Sequence, residues 1–159
     1  MVGNSKEERV FNTICSVFEK KQWKYEKNRE KLLVKSGFAS KDFPVEFTIR
    51  IQTKNEIVSL VSKLPFKISD ENCTDLAMAV ALANNNVIDG MFLYDLENGI
   101  ISYKFTSNYK DSVLGEGLFE FMIGCAIKTI DDYNDKFYLI SKKMLGLEEF
   151  VQEEKRKRG

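Results

Sequence analysis

Chemistry in this sequence would have to come from carboxylates, amines, phenols, hydroxyls and three thiols, because none of the 159 residues is histidine. That absence removes Cys-His pairs, the Ser-His-Asp triad and every metal site that needs an imidazole. Cys15, Cys73 and Cys125 are widely separated and contain no CxxC pair, so they read as reduced thiols and not as zinc ligands. Cys73 lies near a helix start, where a thiolate is favoured, yet no basic residue stands beside it in sequence. The densest carboxylates are Asp131, Asp132 and Asp135. Asp131 and Asp135 fall one helical turn apart, but two carboxylates without a shaped loop make at most a weak cation site, and a solvated helix face is the better reading. Asp89, Asp95 and Glu97 are turn residues. Nothing in these spacings assembles an acid–base pair, so the expectation is a protein without catalytic residues, metal or cofactor.

Two binding surfaces are better candidates. In the segment 43–52, Phe43, Val45, Phe47, Ile49 and Ile51 alternate with Glu46, Thr48, Arg50 and Gln52, the pattern of a strand with one buried and one wet face. The ordinary reading of Glu46, Thr48, Arg50 and Gln52 is a solvated face. The functional reading is a polar sheet face, flanked by an edge, that holds an extended partner segment. The second candidate is a helix over 70–86. Leu76, Ala79, Val80, Ala83 and Val87 give it one apolar face, while Met78, Ala81 and Leu82 make the other side apolar too. Two readings fit this pattern: a helix buried between the sheet and another helix of the same chain, or Met78 and Leu82 at the seam of a symmetric dimer, with further area from the hairpin that follows.

The elements that position these residues are readable in order. Ser5 and Glu8 have capping-box spacing ahead of a helix carrying Val10, Phe11, Ile14, Cys15, Val17 and Phe18 on one side. Trp23 with Tyr25, and Leu32 to Val34, suggest two short strands. The strand at 43–52 is followed by Ile57 to Leu64, with Pro65 as its expected end. Asp70 is placed as the N-cap of the next helix, Asn84 to Asn86 as its stop, and Asn98-Gly99 as the tight turn of a hairpin. A stripe from Leu118 to Met144 predicts a long helix that covers the sheet. Gly146 interrupts it before a last amphipathic turn or two.

These elements predict an α+β fold: a single antiparallel sheet of five or six strands packed against helices, in the order α-β-β-β-β-α-β-β-α. No Gly-rich phosphate loop and no βαβ alternation is present. A chain of this length fits one domain, assigned to 1–152, with a charged C-terminal tail at 153–159 that frays. The 24 basic residues balance 24 acidic ones, so no global field draws the chain to nucleic acid or to a membrane. The polar N-terminus MVGNSKEERV lacks the apolar core of a signal peptide, and the expected location is the cytoplasm.

The element order and the segment AVALANNNVIDGMFLYDLENGIISYKF resemble the YbjN family of small bacterial proteins, which share the fold of type III secretion chaperones. The resemblance spans Ser5 to about Leu147, and its most telling pieces are the Asn84 stop, the entry Gly90-Met91-Phe92 and the Asn98-Gly99 hairpin. It implies a type III secretion chaperone-like fold and a non-enzymatic, protein-binding module, chaperone-like or regulatory, that holds a partner segment as a homodimer. It carries over no site residue. The other function class is a sensory regulator with a small-ligand pocket between the long helix and the sheet.

Overall fold

The structure is a computed structural model that describes residues 4–159, so residues 1–3 of the polar N-terminus and of the expected domain lie outside the described residues. Helix α1 (Lys6–Lys21) opens with the expected capping box. The Glu8 N–H donates to Ser5 Oγ at 3.2 Å and the Ser5 N–H donates to Glu8 Oε2 at 3.2 Å. Strands β1 (Glu26–Asn28), β2 (Leu33–Phe38), β3 (Val45–Gln52) and β4 (Ile57–Lys67) follow. After them come α2 (Cys73–Asn84), β5 (Met91–Asp95), β6 (Ile100–Asn108), α3 (Glu116–Ser141) and α4 (Leu147–Arg158). The strands form one antiparallel sheet in the order β1-β2-β3-β4-β6-β5, so the expected α+β architecture is the one found.

The hydrophobic alternation decides which face the helices take. Val45, Phe47, Ile49 and Ile51 on β3 are buried, as are Val58, Leu60 and Leu64 on β4 and Ile101, Tyr103 and Phe105 on β6. Against them pack Phe11, Ile14 and Phe18 of α1 and Phe119, Met122, Ile123 and Phe137 of α3. Burial of each such side chain contributes roughly 1.5–3 kcal/mol. Among the described residues no helix covers the opposite sheet face, where the alternate residues Glu46, Arg50 and Lys63 are exposed.

Several boundaries differ from those the sequence predicts. Trp23 and Tyr25 precede β1 instead of forming it, because both rings fold back onto Phe18, with Tyr25 stacked at a centroid distance of 4.9 Å. Pro65 does not end β4. The pairing with β6 shifts register between Lys63 and Lys67, which places the residue that lacks an N–H where the ladder is already broken. Asp70 is not the side-chain cap of α2: Asp70–Asn72 form a 3-10 turn, α2 starts at Cys73, and Val87 lies beyond its end. The hairpin turn is not the two-residue Asn98-Gly99 type. Asp95 pairs with Ile100 across a four-residue loop in which only Gly99 has positive φ, while the Asp95 carboxylate accepts from the Asn98 N–H and Nδ2.

The C-terminal region departs furthest. Helix α3 ends at Ser141, Lys143 turns through a φ of 57°, and Met144 is 73% exposed instead of continuing the apolar stripe. Residues 153–158, expected as a fraying tail, complete α4. Phe150 and Glu154 are buried on its inner side, and Glu148 and Glu149 in the first turn with Lys155 to Arg158 in the last complement the helix dipole.

Candidate functional site

The uncovered sheet face is concave. It forms an open, shallow hollow of about 930 Å³ that reaches from Lys24 and Glu26 at the β1 edge to Lys104 on β6. Register aligns its side chains in rows. Glu26 is opposite Lys35, Lys35 opposite Thr48, Thr48 opposite Val61, Val61 opposite Lys104, and Lys104 opposite Met91. The predicted residues Glu46, Thr48, Arg50 and Gln52 all line the hollow, with Glu46 and Arg50 exposed and Thr48 and Gln52 half-buried. Reading β3 alone misses Lys35, Lys63 and Lys104, which neighbouring strands bring to the same face. Their alternation with buried residues is visible in sequence, but the register that joins them is not.

Met78 and Leu82 do not belong to this hollow. Met78 is 50% exposed on the outer side of α2, and Leu82, one turn on, is half-buried against the core. Helix α2 packs beside β5, whose exposed Met91 and Leu93 pair with Lys104 and Ser102 and so lie on the uncovered face of the sheet. The free edge of β5 is partly closed. The Asn84 side chain donates from Nδ2 to the Phe92 carbonyl at 3.0 Å and accepts the Phe92 N–H at Oδ1 at 2.7 Å, standing in for a neighbouring strand.

A buried carboxylate that the sequence reading missed ties three elements together. Glu154 of α4 accepts from Tyr133 Oη at 2.6 Å and from Asn86 Nδ2 at 2.6 Å, and pairs with Lys157 Nζ at 3.0 Å. Burial pushes this carboxyl up, but the hydrogen bonds from Tyr133 and Asn86 and the Lys157 ammonium outweigh it and hold the group below its ordinary range. Beside it lies a cavity of about 270 Å³ lined by Asn86, Lys128, Asp132 and Lys157. Its charges are already matched, Lys128 with Asp132 at 2.9 Å and Lys157 with Glu154. The cluster is a staple of α4 to α3 and to the segment after α2.

Three further chemistry-bearing residues are held by the fold, while Cys73 is a partly exposed free thiol. Asp131 Oδ1 accepts the Lys41 N–H at 3.0 Å, fixing the loop before β3 to α3. Cys15 and Cys125 are buried, and that burial pushes both thiols up and keeps them neutral. Among the described residues, no group of three or more potential ligands is placed to hold a metal ion, and no helix is long and apolar enough to cross a membrane. Between α3 and the sheet, where a ligand sensor would have its pocket, Phe119, Met122, Ile123, Ala126 and Phe137 are completely buried.

No family model matches the sequence, and no curated protein matches it. Solved structures share the fold. A chain of the HopA1–SchA chaperone–effector complex superposes with a TM-score of 0.57 at 8% identity, over 84% of this chain and 98% of that one. A chain of the ExsC–ExsE complex gives 0.58 at 12% identity, over 80% and 92%. YbjN from E. coli, a candidate transcription regulator, gives 0.57 at 9% identity, over 79% and 92%. Likeness at such identities is a statement about architecture: this chain has the YbjN and type III secretion chaperone-like fold.

Proposed function

We propose that the protein is a non-enzymatic, protein-binding module, chaperone-like or regulatory, that holds an extended segment of a partner protein. The observation that carries this reading is the one-sided sheet. All packing against it comes from the helix side, which leaves a concave polar face with Glu46, Thr48, Arg50 and Gln52 at its middle, in a fold found in chaperone–effector complexes. The face is preferred over the β5 edge because Asn84 already occupies the backbone groups of Phe92.

The reading includes a homodimer whose seam is Met78 and Leu82 on α2. Its support is the half-exposed Met78 on the outer side of α2, one turn from Leu82. A symmetric seam needs one self-complementary patch, and the outer side of α2 is the candidate. Native mass spectrometry of gently purified protein tests both parts. A dimer carrying a second polypeptide is the expected spectrum. A bare monomer, or a dimer carrying a constant small-molecule mass, would overturn the reading, the latter in favour of a ligand sensor.

A further inference from the structure

We propose that the concave sheet face recognises an acidic extended polypeptide segment, an inference that rests on the reading of that face as the partner-binding surface. The chain as a whole is neutral, yet this hollow is lined by Lys24, Lys35, Arg50, Lys63 and Lys104 against only Glu26 and Glu46. Among the described residues none of the five cations is in an ion pair. Some basic residues on the helices are matched, as in Lys20–Glu116 at 2.8 Å, Lys128–Asp132 at 2.9 Å and Lys136–Glu153 at 3.5 Å, while others such as Arg9, Lys155 and Arg156 are exposed and do not share one hollow. A concave wall focuses the field of unmatched like charges, so an anionic occupant gains there what the fold itself leaves unsatisfied.

The spacing of the cations fits a crossing peptide. Lys35 and Lys104 share one row, separated by the strands that carry Thr48 and Val61. Three interstrand steps of about 4.8 Å place their backbones roughly 14 Å apart, close to four residues of extended chain at about 3.3 Å each. An extended segment crossing the strands with Asp or Glu at i and i+4 meets both, since such residues point the same way. Thr48, between the two lysines, offers a hydroxyl to its backbone. A polypeptide is favoured over a nucleic acid because Glu26 and Glu46 stand in the same lining and would repel a continuous phosphate backbone. The aromatic lining residues, Tyr25 and Phe47, are half-buried and buried, leaving no exposed ring for base stacking.

The test is fluorescence anisotropy with a labelled peptide of about twelve residues alternating Glu and Ser, long enough to span the face. The controls are the Lys–Ser counterpart and an oligodeoxythymidine of the same length. Binding of the Glu–Ser peptide is expected to weaken as salt is raised from about 50 mM to 300 mM. It should weaken at least about tenfold in Arg50→Glu/Lys104→Glu, against less than about twofold in the charge-matched Lys155→Glu/Arg156→Glu on α4. The salt titration uses the unmodified chain and so does not depend on variants folding. No binding of the Glu–Ser peptide, equal binding of the Lys–Ser peptide, equal losses in both double variants, or tighter binding of the oligonucleotide would each overturn the proposal. A client that crosslinks from position 48 through a segment without acidic residues would overturn the charge inference alone. Absence of any client crosslink at position 48 would overturn the partner-binding reading beneath it.

Discussion

Asn84, the last residue of α2, makes both hydrogen bonds of its amide to a single residue, Phe92 of β5, donating to the carbonyl and accepting the N–H. One side chain at the end of a helix thereby fixes the strand that follows and covers part of the edge where another chain would otherwise add. Asn84→Ala should cost about 1–3 kcal/mol in urea unfolding, since it strands two partly buried backbone groups. Asn84→Asp keeps the acceptor for the Phe92 N–H but turns a carboxylate oxygen on the Phe92 carbonyl, acceptor against acceptor, and should be destabilised as well. Equal stability of all three proteins would show that water replaces the clasp.

The Met78 seam predicts a change of assembly without a change of fold. Met78 is half exposed, so Met78→Asp should shift unfolding free energy by less than about 1 kcal/mol. Light scattering should read a dimer for the unmodified chain and a monomer for the variant, because a charge repeated across a two-fold seam is doubly unfavourable. Dimers that persist in the variant would place the seam elsewhere.

Glu154 predicts an acid-sensitive contribution to stability. A carboxyl whose folded pKa is depressed stabilises the fold above its unfolded value of about 4.5, and that contribution is lost as pH falls through the lower folded value. Glu154→Gln should therefore be less stable than the unmodified chain near neutrality, by about 1–3 kcal/mol, with the gap narrowing below pH 4.5. Urea midpoints of the two proteins across this window check it. A gap independent of pH would mean that the substitution disturbs packing and that the charge contributes nothing.

Two glycines should respond with opposite signs. Gly99 has a φ of 66°, and a Cβ there would run into the backbone of Ile68, whose N–H donates to the Gly99 carbonyl at 2.8 Å and holds the two segments together. Gly99→Ala should destabilise by about 1–3 kcal/mol. Gly124 lies inside α3, and a methyl group added there would meet nothing within 4 Å, so Gly124→Ala should stabilise by about 0.5–1 kcal/mol. Thermal midpoints moving in the same direction for both would refute this contrast.

What the sequence discloses is what local periodicity encodes. The alternation at 43–52 places Glu46, Thr48, Arg50 and Gln52 on one face without knowledge of any partner strand, and Ser5 with Glu8 announces its own helix. Contacts between distant residues leave no such trace. The partners of Glu154 are 21 and 68 positions away, so a Glu in a charged terminal helix gives no sign of being buried. The cations beside Arg50 come from three other strands, and only the register across β2, β3, β4 and β6 makes them one group. The loop after Asp95 likewise depends on a bond between Ile68 and Gly99, which no turn dipeptide reveals.

The most direct test of the partner-binding face is photo-crosslinking in the native host from a reactive side chain at position 48, in the middle of the concave sheet, compared with position 120 on the exposed side of α3. Crosslinks to a partner polypeptide from position 48, lost in Arg50→Glu/Lys104→Glu and absent from position 120, are the expected result. Crosslinks from position 120 alone, or from neither, would contradict the assignment of the sheet face as the site that holds a partner.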